Sequence, residues 1–259
     1  MNLLKIYRYT VRNRFFELEC AKAYDAGKIK IPIYLSLGSE HIPPILNEIY
    51  PEAKVFAQHR CHSYYLSLGG KPEDLIYELT QGRQGSASLA HDRMFGHSGM
   101  LGDQVPIGVG YAHATNKPTI IVFGDAAAEE DYVLGAIGYA VTKKAKCLFI
   151  CEDNNLSILT EKRVRRSWNI DDVAFAMGVD SYSTNKLITQ HLTVLPGLIN
   201  VNIDRYCWHA GSHVEIPEDD NIFQLTNYII ENGYDCLTLD CIKQEEKEYI
   251  EDVWQTTLK

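Results

Sequence analysis

The chain has 259 residues, enough for one large α/β domain with a sizeable core. Its formal net charge of −9 argues against nucleic acid or an anionic membrane as a general partner, and no stretch approaches the ~20 apolar residues of a membrane span. Seven cysteines, an odd number without paired spacing, predict reduced thiols and a cytoplasmic setting.

The N-terminal part predicts helices, one short strand and a long loop. Helices are expected where apolar residues recur at helical spacing or where small residues form a run, over 3–27, 40–49, 71–82 and 105–114. The first of these lacks the apolar core and cleavage site of a signal peptide. A short strand over Val55–Gln58 precedes Arg60 and His62, a spacing that by itself is typical of a surface turn. Residues 83–102 show no apolar period, which indicates a functional or mobile loop.

The middle of the chain contains two short apolar runs, Thr119–Phe123 and Cys147–Cys151. Helical spacing of apolar residues between them, starting near Ala127, predicts a β-α-β unit with buried parallel strands. Core packing explains the two cysteines of the second run better than a metal site does.

Polar residues follow both runs at the point where each strand should end. Asp125 follows the first strand and Asn154 the second. If the strands are neighbours, both side chains reach the carboxyl edge of the sheet, where ligands bind in open α/β folds. Carboxylate, amide and carbonyl oxygens suit Mg²⁺ with a phosphate group, and a helix N-terminus near Ala127 would favour that phosphate. The alternative is a helix cap at Asp125 and an ordinary turn at Asn154.

The last third predicts a basic segment, a short helix, a strand and two C-terminal helices. The basic segment, Lys162–Trp168, is either a solvated surface stretch or a loop with a function. A short helix over 171–177 and a strand over 198–206 follow, and two histidines, His209 and His213, come after the strand. The tail, 221–259, reads as two helices with apolar packing faces. We expect a single domain over 1–259 with an N-terminal helix and a helical tail.

The central stretch resembles the thiamine-diphosphate motif. More closely, it is similar to the α subunits of the decarboxylating component of 2-oxo acid dehydrogenases, which read Gly-Asp-Gly-Ala-Ala-Asn-Glu-Gly and later Cys-Glu-Asn-Asn-Arg-Tyr-Gly-Met-Gly-Thr. This chain has Gly124-Asp125-Ala126-Ala127 and Cys151-Glu152-Asp153-Asn154. The resemblance implies an α/β thiamine-diphosphate-binding fold, a parallel sheet flanked by helices, with this chain as the diphosphate-binding half. Ala126 departs from the family glycine, so that turn needs backbone angles that a Cβ permits.

The resemblance implies a set of ligands for magnesium and for the cofactor. Asp125 and Asn154 match the magnesium ligands by side chain, and Leu156 matches the ligand that uses its backbone carbonyl. Positions 59–62 match the family Tyr-Arg-Gly-His. The whole cofactor-binding set is therefore His59, Arg60, Gly99, Leu101, Gly124, Asp125, Ala126, Ala127, Asn154 and Leu156.

Individual residues of that set have separate implied roles. Arg60 matches the family arginine that binds the diphosphate, and its fork suits two phosphate oxygens. His59 replaces the family tyrosine. Gly99 and Leu101 match positions beside the aminopyrimidine, where Leu101 would be the apolar wedge under the bent cofactor. His62 maps to a histidine near the active centre.

The histidines after the last strand complete the implied catalytic set. The family reads Tyr-Arg-Tyr-His-Gly-His-Ser there. With Arg205 and Tyr206 laid on the Arg-Tyr pair, His209 falls on the second histidine, and His213 stays open as a further candidate. The catalytic set is therefore His62, His209 and His213.

The resemblance also implies what this chain lacks. The glutamate that activates the pyrimidine ring belongs to the β subunit in this family, so we expect activity only with a separate β chain, as an α2β2 heterotetramer. The implied reaction is decarboxylation of a 2-oxo acid, with the acyl group passing to lipoamide or to a carbonyl acceptor. Two alternatives remain open: a split transketolase-like subunit and a non-catalytic scaffold or regulatory subunit. A Rossmann-type nucleotide binder is disfavoured, because no Gly-x-Gly-x-x-Gly turn follows a strand.

Overall fold

The computed structural model describes residues 1–82, 91–95, 100–185, 194–209 and 212–258. In chain order, its helices are α1 (Leu3–Asp25), α2 (Ile42–Ile49), α3 (His62–Ser67), α4 (Pro72–Thr80), α5 (Gln104–Thr115), α6 (Asp131–Lys143), α7 (Lys162–Arg165), α8 (Ile170–Ala176), α9 (Asn221–Glu231) and α10 (Cys236–Thr257). Its strands are β1 (Lys54–Phe56), β2 (Met94–Phe95), β3 (Thr119–Gly124), β4 (Cys147–Asp153), β5 (Leu156–Ser157), β6 (Thr160–Glu161), β7 (Asp180–Thr184), β8 (Gly197–Asn202), β9 (Cys207–His209) and β10 (Ser212–Val214). Within the described residues, every helix is too short or too polar to span a bilayer.

The chain forms two compact units, which are described separately. The helical unit comprises residues 1–49, 60–91 and 205–259, and the sheet unit comprises 50–59 and 92–204. The expectation of a single domain over 1–259 stays a prediction.

The sheet unit contains, among its described residues, a six-stranded sheet in the order β2-β1-β3-β4-β8-β7. Every neighbouring pair in it is parallel. Successive residues of β3 and β4 are 0–1% exposed, from Ile120 to Phe123 and from Cys147 to Cys151. Both faces of these strands are therefore buried, which is why the strands read as continuous apolar runs in the sequence.

The helices α5 and α6 and the central strands share one apolar core. Val105, Val109, Val133 and Ile137 pack with Phe149 and other buried side chains of the strands. Cys147 and Cys151 lie in the same core, fully buried, as expected for packing residues. The parallel sheet flanked by helices confirms the predicted fold class.

The helical unit is organised around α1. Asn2 begins this helix, because its side chain accepts a hydrogen bond from the Lys5 N–H at 3.0 Å. The helix ends at Asp25, and Gly27 follows with φ +70°, a conformation that glycine adopts without strain. In the C-terminal tail, Leu225, Ile229 and Ile250 are buried, which confirms the predicted packing faces.

Several predicted boundaries of helices and strands are wrong. The helix expected near Ala127 begins at Asp131, because Glu130 is extended (φ −72°, ψ 133°) and only a 3-10 turn, Ala127–Glu129, precedes it. The helix expected from residue 40 begins at Ile42. The strand expected to reach residue 206 ends at Asn202.

Two strands of the six-stranded sheet were not expected, and each lies at one of its edges. β2 has only two residues, too few to show a period, and it lies within the segment that we predicted to be a loop. β7 is polar and partly exposed, so it lacks the apolar pattern of a buried strand.

Candidate functional site

The ends of β3 and β4 bring two acidic side chains to one edge of the sheet. Gly124, the last residue of β3, pairs with Glu152 of β4, so Asp125 and Asp153 follow at neighbouring positions. They are 1% and 3% exposed. The prediction that the two strands are neighbours is confirmed, and the carboxyl edge holds one more carboxylate than we expected, that of Asp153.

Gly124 leaves little room for a side chain, although its backbone angles would permit one. A Cβ at this position would lie 3.2 Å from Gln58 Oε1. The Gln58 side chain donates from Nε2 to Glu152 Oε2, a buried pair that links β4 to the segment after β1. A Cβ at residue 124 would require the Gln58 side chain to shift by a few tenths of an ångström.

The turn after β3 accommodates the departure from the family motif. Ala126 has φ −69° and ψ −36°, in the right-handed region that any L-residue adopts. The Cβ is therefore permitted, as the sequence required. Ala127 is 1% exposed and lies in the 3-10 turn, so no α-helix N-terminus begins at this residue.

Three cations of the basic segment, Lys162, Arg165 and Arg166, pack on the acidic strand ends. Arg165 donates from Nη2 to Asp125 Oδ2 and from Nη1 to Glu129 Oε1. Arg166 donates from Nη1 to the backbone carbonyl of Asp125 at 2.6 Å and to Glu129 Oε1 at 3.2 Å. Lys162 donates to Asp153 Oδ2. Of the two alternatives that the sequence left open, the solvated surface stretch is therefore wrong for these three cations.

Burial raises the pKa of the Asp125 carboxyl above its ordinary value. The neighbouring Asp153 carboxylate adds to this effect, while Arg165 opposes it. A carboxyl group in this setting favours a nearby cation, because the cation lowers the cost of keeping the group ionised. The site is therefore electrostatically suited to a positive charge at Asp125.

A tight hairpin connects the end of β4 to the basic segment. Asn154 Oδ1 accepts the Leu156 N–H at 3.1 Å, and Asn155 has φ +62°. β5 and β6 then pair antiparallel, and the Lys162 N–H donates to the Asn155 carbonyl at 2.9 Å. This geometry returns the chain to the strand end within a few residues.

The oxygen donors at this edge fit a magnesium ion. They are the Asp125 carboxylate, the Asn154 amide oxygen and the Leu156 backbone carbonyl, which are hard ligands of the kind Mg²⁺ prefers. The Asn154 oxygen still has a lone pair after it accepts from Leu156. The buried Asp125 carboxylate already holds a cation, the Arg165 guanidinium, so the position accepts positive charge.

The position predicted as the apolar wedge lies just before α5. Leu101 is 42% exposed, and its carbonyl accepts a hydrogen bond from the Tyr132 hydroxyl. Gly102 follows with φ +81°, and a Cβ there would lie 2.8 Å from Val133 Cγ2, so glycine is required. Gly99 lies outside the described residues.

The remaining predicted residues are divided between the two units. Arg60, in the helical unit, is 6% exposed and donates from Nη1 to the Leu35 carbonyl at 3.0 Å. His62 is fully buried there, with Nδ1 3.2 Å from Glu17 Oε2. His59 belongs to the sheet unit and is partly buried.

His209 and His213 lie on a two-stranded antiparallel hairpin of β9 and β10. His209 pairs with Ser212, and His213 pairs with Trp208. Both belong to the helical unit, and their side chains lie outside what the structure describes. Their catalytic roles stay predictions.

Sequence reasoning missed four residues of this edge: Glu129, Asp153, Arg165 and Arg166. One signal was visible, since Asp153 stands where the family motif has asparagine. The arginines gave no comparable signal. Their hydrogen-bond partners lie 36–41 residues earlier in the chain, and a basic run does not indicate which distant residues it will contact.

The chain is similar in sequence to subunits of known dehydrogenases. A family model described as dehydrogenase E1 component matches residues 8–184. The pyruvate dehydrogenase E1 component subunit alpha of Rickettsia bellii is 25% identical over 291 aligned residues, which cover 96% of this chain and 89% of that protein. The mitochondrial subunit of the same name from Dictyostelium discoideum is 29% identical over 170 residues, 60% of this chain and 45% of the relative. The chain thus covers less than half of that relative's length.

Transketolases are among the solved structures that share this fold. One from Pichia stipitis has a TM-score of 0.59 at 16% identity, with 99% of this chain and 46% of that chain covered. One from Campylobacter jejuni has a TM-score of 0.56 at 18% identity, with 100% and 48% covered. These likenesses show the thiamine-diphosphate-binding fold, which confirms the predicted one. Because the family model matches more than half of its residues, the chain belongs to the dehydrogenase E1 component family.

Proposed function

We propose that this chain is the cofactor-binding α subunit of a two-chain enzyme that depends on thiamine diphosphate and decarboxylates a 2-oxo acid. The observation that supports this most directly is the set of oxygen donors, Asp125, Asn154 and Leu156, at the carboxyl edge of β3 and β4. The relative from Rickettsia bellii, named as a pyruvate dehydrogenase subunit, aligns with nearly the whole chain. The acyl group would pass to lipoamide or to a carbonyl acceptor.

The chain's own residues would hold and orient the cofactor. We assign Mg²⁺ to Asp125, Asn154 and the Leu156 carbonyl, and the diphosphate to Arg60. When bound, thiamine diphosphate supplies a nucleophilic carbon and an electron sink for the decarboxylation. The exposed Leu101 side chain is suited to support an apolar ring system. Gly99, His59 and the Gly124–Ala127 turn complete the proposed cofactor-binding set.

Proton transfer would fall to histidines of the helical unit. His62 is the first candidate, because Glu17 lies within hydrogen-bond reach of its ring and can fix the tautomer. His209 is the second candidate and His213 the third, both by resemblance alone. General acid–base groups of this kind contribute roughly 10²–10⁴-fold to a rate.

A separate β subunit is the proposed partner, as an α2β2 heterotetramer. The family resemblance supports this partner, because the pyrimidine-activating glutamate belongs to the β subunit in that family. The proposed compartment is the cytoplasm, which the seven free cysteines support. A split transketolase-like subunit is the alternative, supported by the transketolase likenesses in fold alone.

The test is calorimetry of thiamine diphosphate with Mg²⁺, on the full chain alone and co-purified with the candidate β chain. We expect Mg²⁺-dependent binding in the complex and a loss of at least about 100-fold in Asp125→Asn, because even an outer partner of a metal ligand is worth about 10–100-fold. Asp131→Asn is the matched control, since Asp131 is exposed at the start of α6 and should leave binding unchanged. A screen of 2-oxo acids with the complex then identifies the substrate.

The outcomes separate the candidate functions. Absence of binding in both preparations would refute the enzyme proposal and support a scaffold or regulatory subunit. Turnover by this chain alone would refute the need for a β subunit. Turnover of sugar phosphates in place of 2-oxo acids would support the transketolase-like alternative.

A further inference from the structure

Two arginines of the basic segment lie beside the proposed metal ligand, Arg166 buried and Arg165 partly buried. The Arg165 side chain is 11% exposed and the Arg166 side chain 2% exposed. Acidic groups hold both of them: Arg165 bridges Asp125 and Glu129, and Arg166 reaches Glu129 and the Asp125 carbonyl. Such positions are unusual for arginine unless charged or polar partners satisfy the guanidinium.

These partners do not satisfy all the guanidinium donors. Arg165 Nε and Arg166 Nε and Nη2 are buried and have no hydrogen-bond partner among the described residues. The Trp168 ring lies against the Arg166 guanidinium, with Cζ 4.5 Å from the ring centroid, but a ring face stacked on the plane does not accept from its N–H edge. A buried charged donor without an acceptor is costly, so these donors need an acceptor.

The charges at this edge indicate what kind of acceptor is needed. Asp125, Glu129 and Asp153 carry three formal negative charges. They form ion pairs with three cations of the basic segment, Lys162, Arg165 and Arg166. The formal charges of these six groups therefore sum to zero before any metal binds. Mg²⁺ alone would add two positive charges next to a guanidinium, which is unfavourable, whereas Mg²⁺ together with a phosphate group keeps the edge close to neutral.

We propose that Arg165 and Arg166 form an anion-binding pair for a metal-bound phosphate group, with Arg165 leaving the Asp125 carboxylate for a phosphate oxygen when Mg²⁺ takes that carboxylate. The inference rests on the proposed function only for the magnesium ion at Asp125. A planar fork of N–H donors matches phosphate oxygens well, and three such donors are already buried at this edge without an acceptor. Asp125 and Glu129 hold the pair in place before the anion arrives.

The experiment uses Mg²⁺ with inorganic pyrophosphate as the probe, titrated by calorimetry into the full chain co-purified with the candidate β chain. Arg165→Gln should weaken binding of Mg²⁺–pyrophosphate about tenfold or more, because it removes a charge-assisted contact. Titration of Mg²⁺ without pyrophosphate should show the opposite sign, tighter binding in Arg165→Gln, because Asp125 loses its competing guanidinium.

Arg163→Gln is the matched control. Arg163 belongs to the same segment and carries the same charge, but its side chain is 79% exposed and pairs only with Glu161 among the described residues. Its effect should stay within about twofold, as for an exposed charge. Where Arg165→Gln does not fold, Arg165→Lys against Arg163→Lys provides the same comparison, because lysine keeps the charge and loses the fork.

Three results would overturn the inference. Equal pyrophosphate affinity in the Arg165 and Arg163 variants would show that Arg165 does not bind the anion. Tighter pyrophosphate binding in Arg165→Gln would show that Arg165 only competes with the metal. Failure of the wild-type complex to bind Mg²⁺–pyrophosphate would also refute it.

The same titrations separate this inference from the proposed function. Binding of Mg²⁺–pyrophosphate without binding of thiamine diphosphate would refute the function and leave the anion-binding pair intact. Binding of thiamine diphosphate that Arg165→Gln does not weaken would refute the pair and leave the function intact.

Discussion

The packing of α5 on β3 depends on a glycine whose replacement has a calculable effect. Gly108 is buried, and a Cβ there would lie 2.8 Å from Ile121 Cγ1, 2.9 Å from Ile121 Cδ1 and 3.1 Å from Phe56 Cγ. Ile121 and Phe56 are themselves buried in the core, so neither can move into solvent. Gly110, two positions along the same helix, is exposed and has no atom within 4 Å of its ideal Cβ.

Comparing the two glycines separates the cost of overpacking the core from the gain in helix propensity. Alanine in place of glycine inside a helix gains about 1 kcal/mol at either position, through the lower conformational entropy of the unfolded chain. Overpacking a well-filled core costs about 1–3 kcal/mol. We therefore expect Gly110→Ala to raise the free energy of unfolding by about 1 kcal/mol and Gly108→Ala to lower it by about 1 kcal/mol.

Urea unfolding followed by far-ultraviolet circular dichroism measures both variants against the wild type. The slope of the free energy with urea should be unchanged, so that the shift in midpoint reports stability alone. Equal stability of Gly108→Ala and Gly110→Ala would refute the reasoning, because it would mean that α5 moves away from β3 at no cost. Since α5 begins directly after the turn that contains Leu101, such freedom would also leave the proposed wedge loosely held.

Two further predictions concern the buried polar groups of the helical unit. Burial and the nearby Arg14 lower the pKa of His41 to about 4, against a small opposing effect of Asp220, so the unfolded chain binds a proton between pH 6.5 and 4 that the folded chain does not. The free energy of unfolding should therefore fall by about 3 kcal/mol as the pH decreases over this range. Denaturation measured at each pH should show this fall in the wild type but not in His41→Gln. An identical pH profile in that variant would contradict the assignment. Glu40→Gln should lower the free energy of unfolding by about 3 kcal/mol, because the buried Arg14 guanidinium loses one of its two carboxylates. The control is Glu245→Gln, which removes an exposed ion pair and should lower the free energy of unfolding by less than about 1 kcal/mol. Equal costs in the two variants would show that the buried pair contributes no more than the surface pair.

Local apolar pattern was sufficient to predict the central β-α-β unit. Thr119–Gly124 and Cys147–Asp153 are strands whose side chains are buried on both faces, so burial left a continuous apolar run in the sequence. Edge strands leave no such run, and β2 and β7 were missed for that reason. Helix starts were also misplaced near polar turns, since the extended backbone at Glu130 delays α6.

The sequence by itself determined that Asp125 and Asn154 follow strands, and that their oxygens suit a magnesium ion. This holds because residue order along two neighbouring parallel strands determines which side chains reach the carboxyl edge. Only the tertiary structure decided that Arg165 and Arg166 lie against Asp125 and Glu129, since the β5–β6 hairpin must first return the chain to the edge. Ion pairs of this kind form between residues far apart in the sequence, and their partners depend on distances that no local pattern encodes.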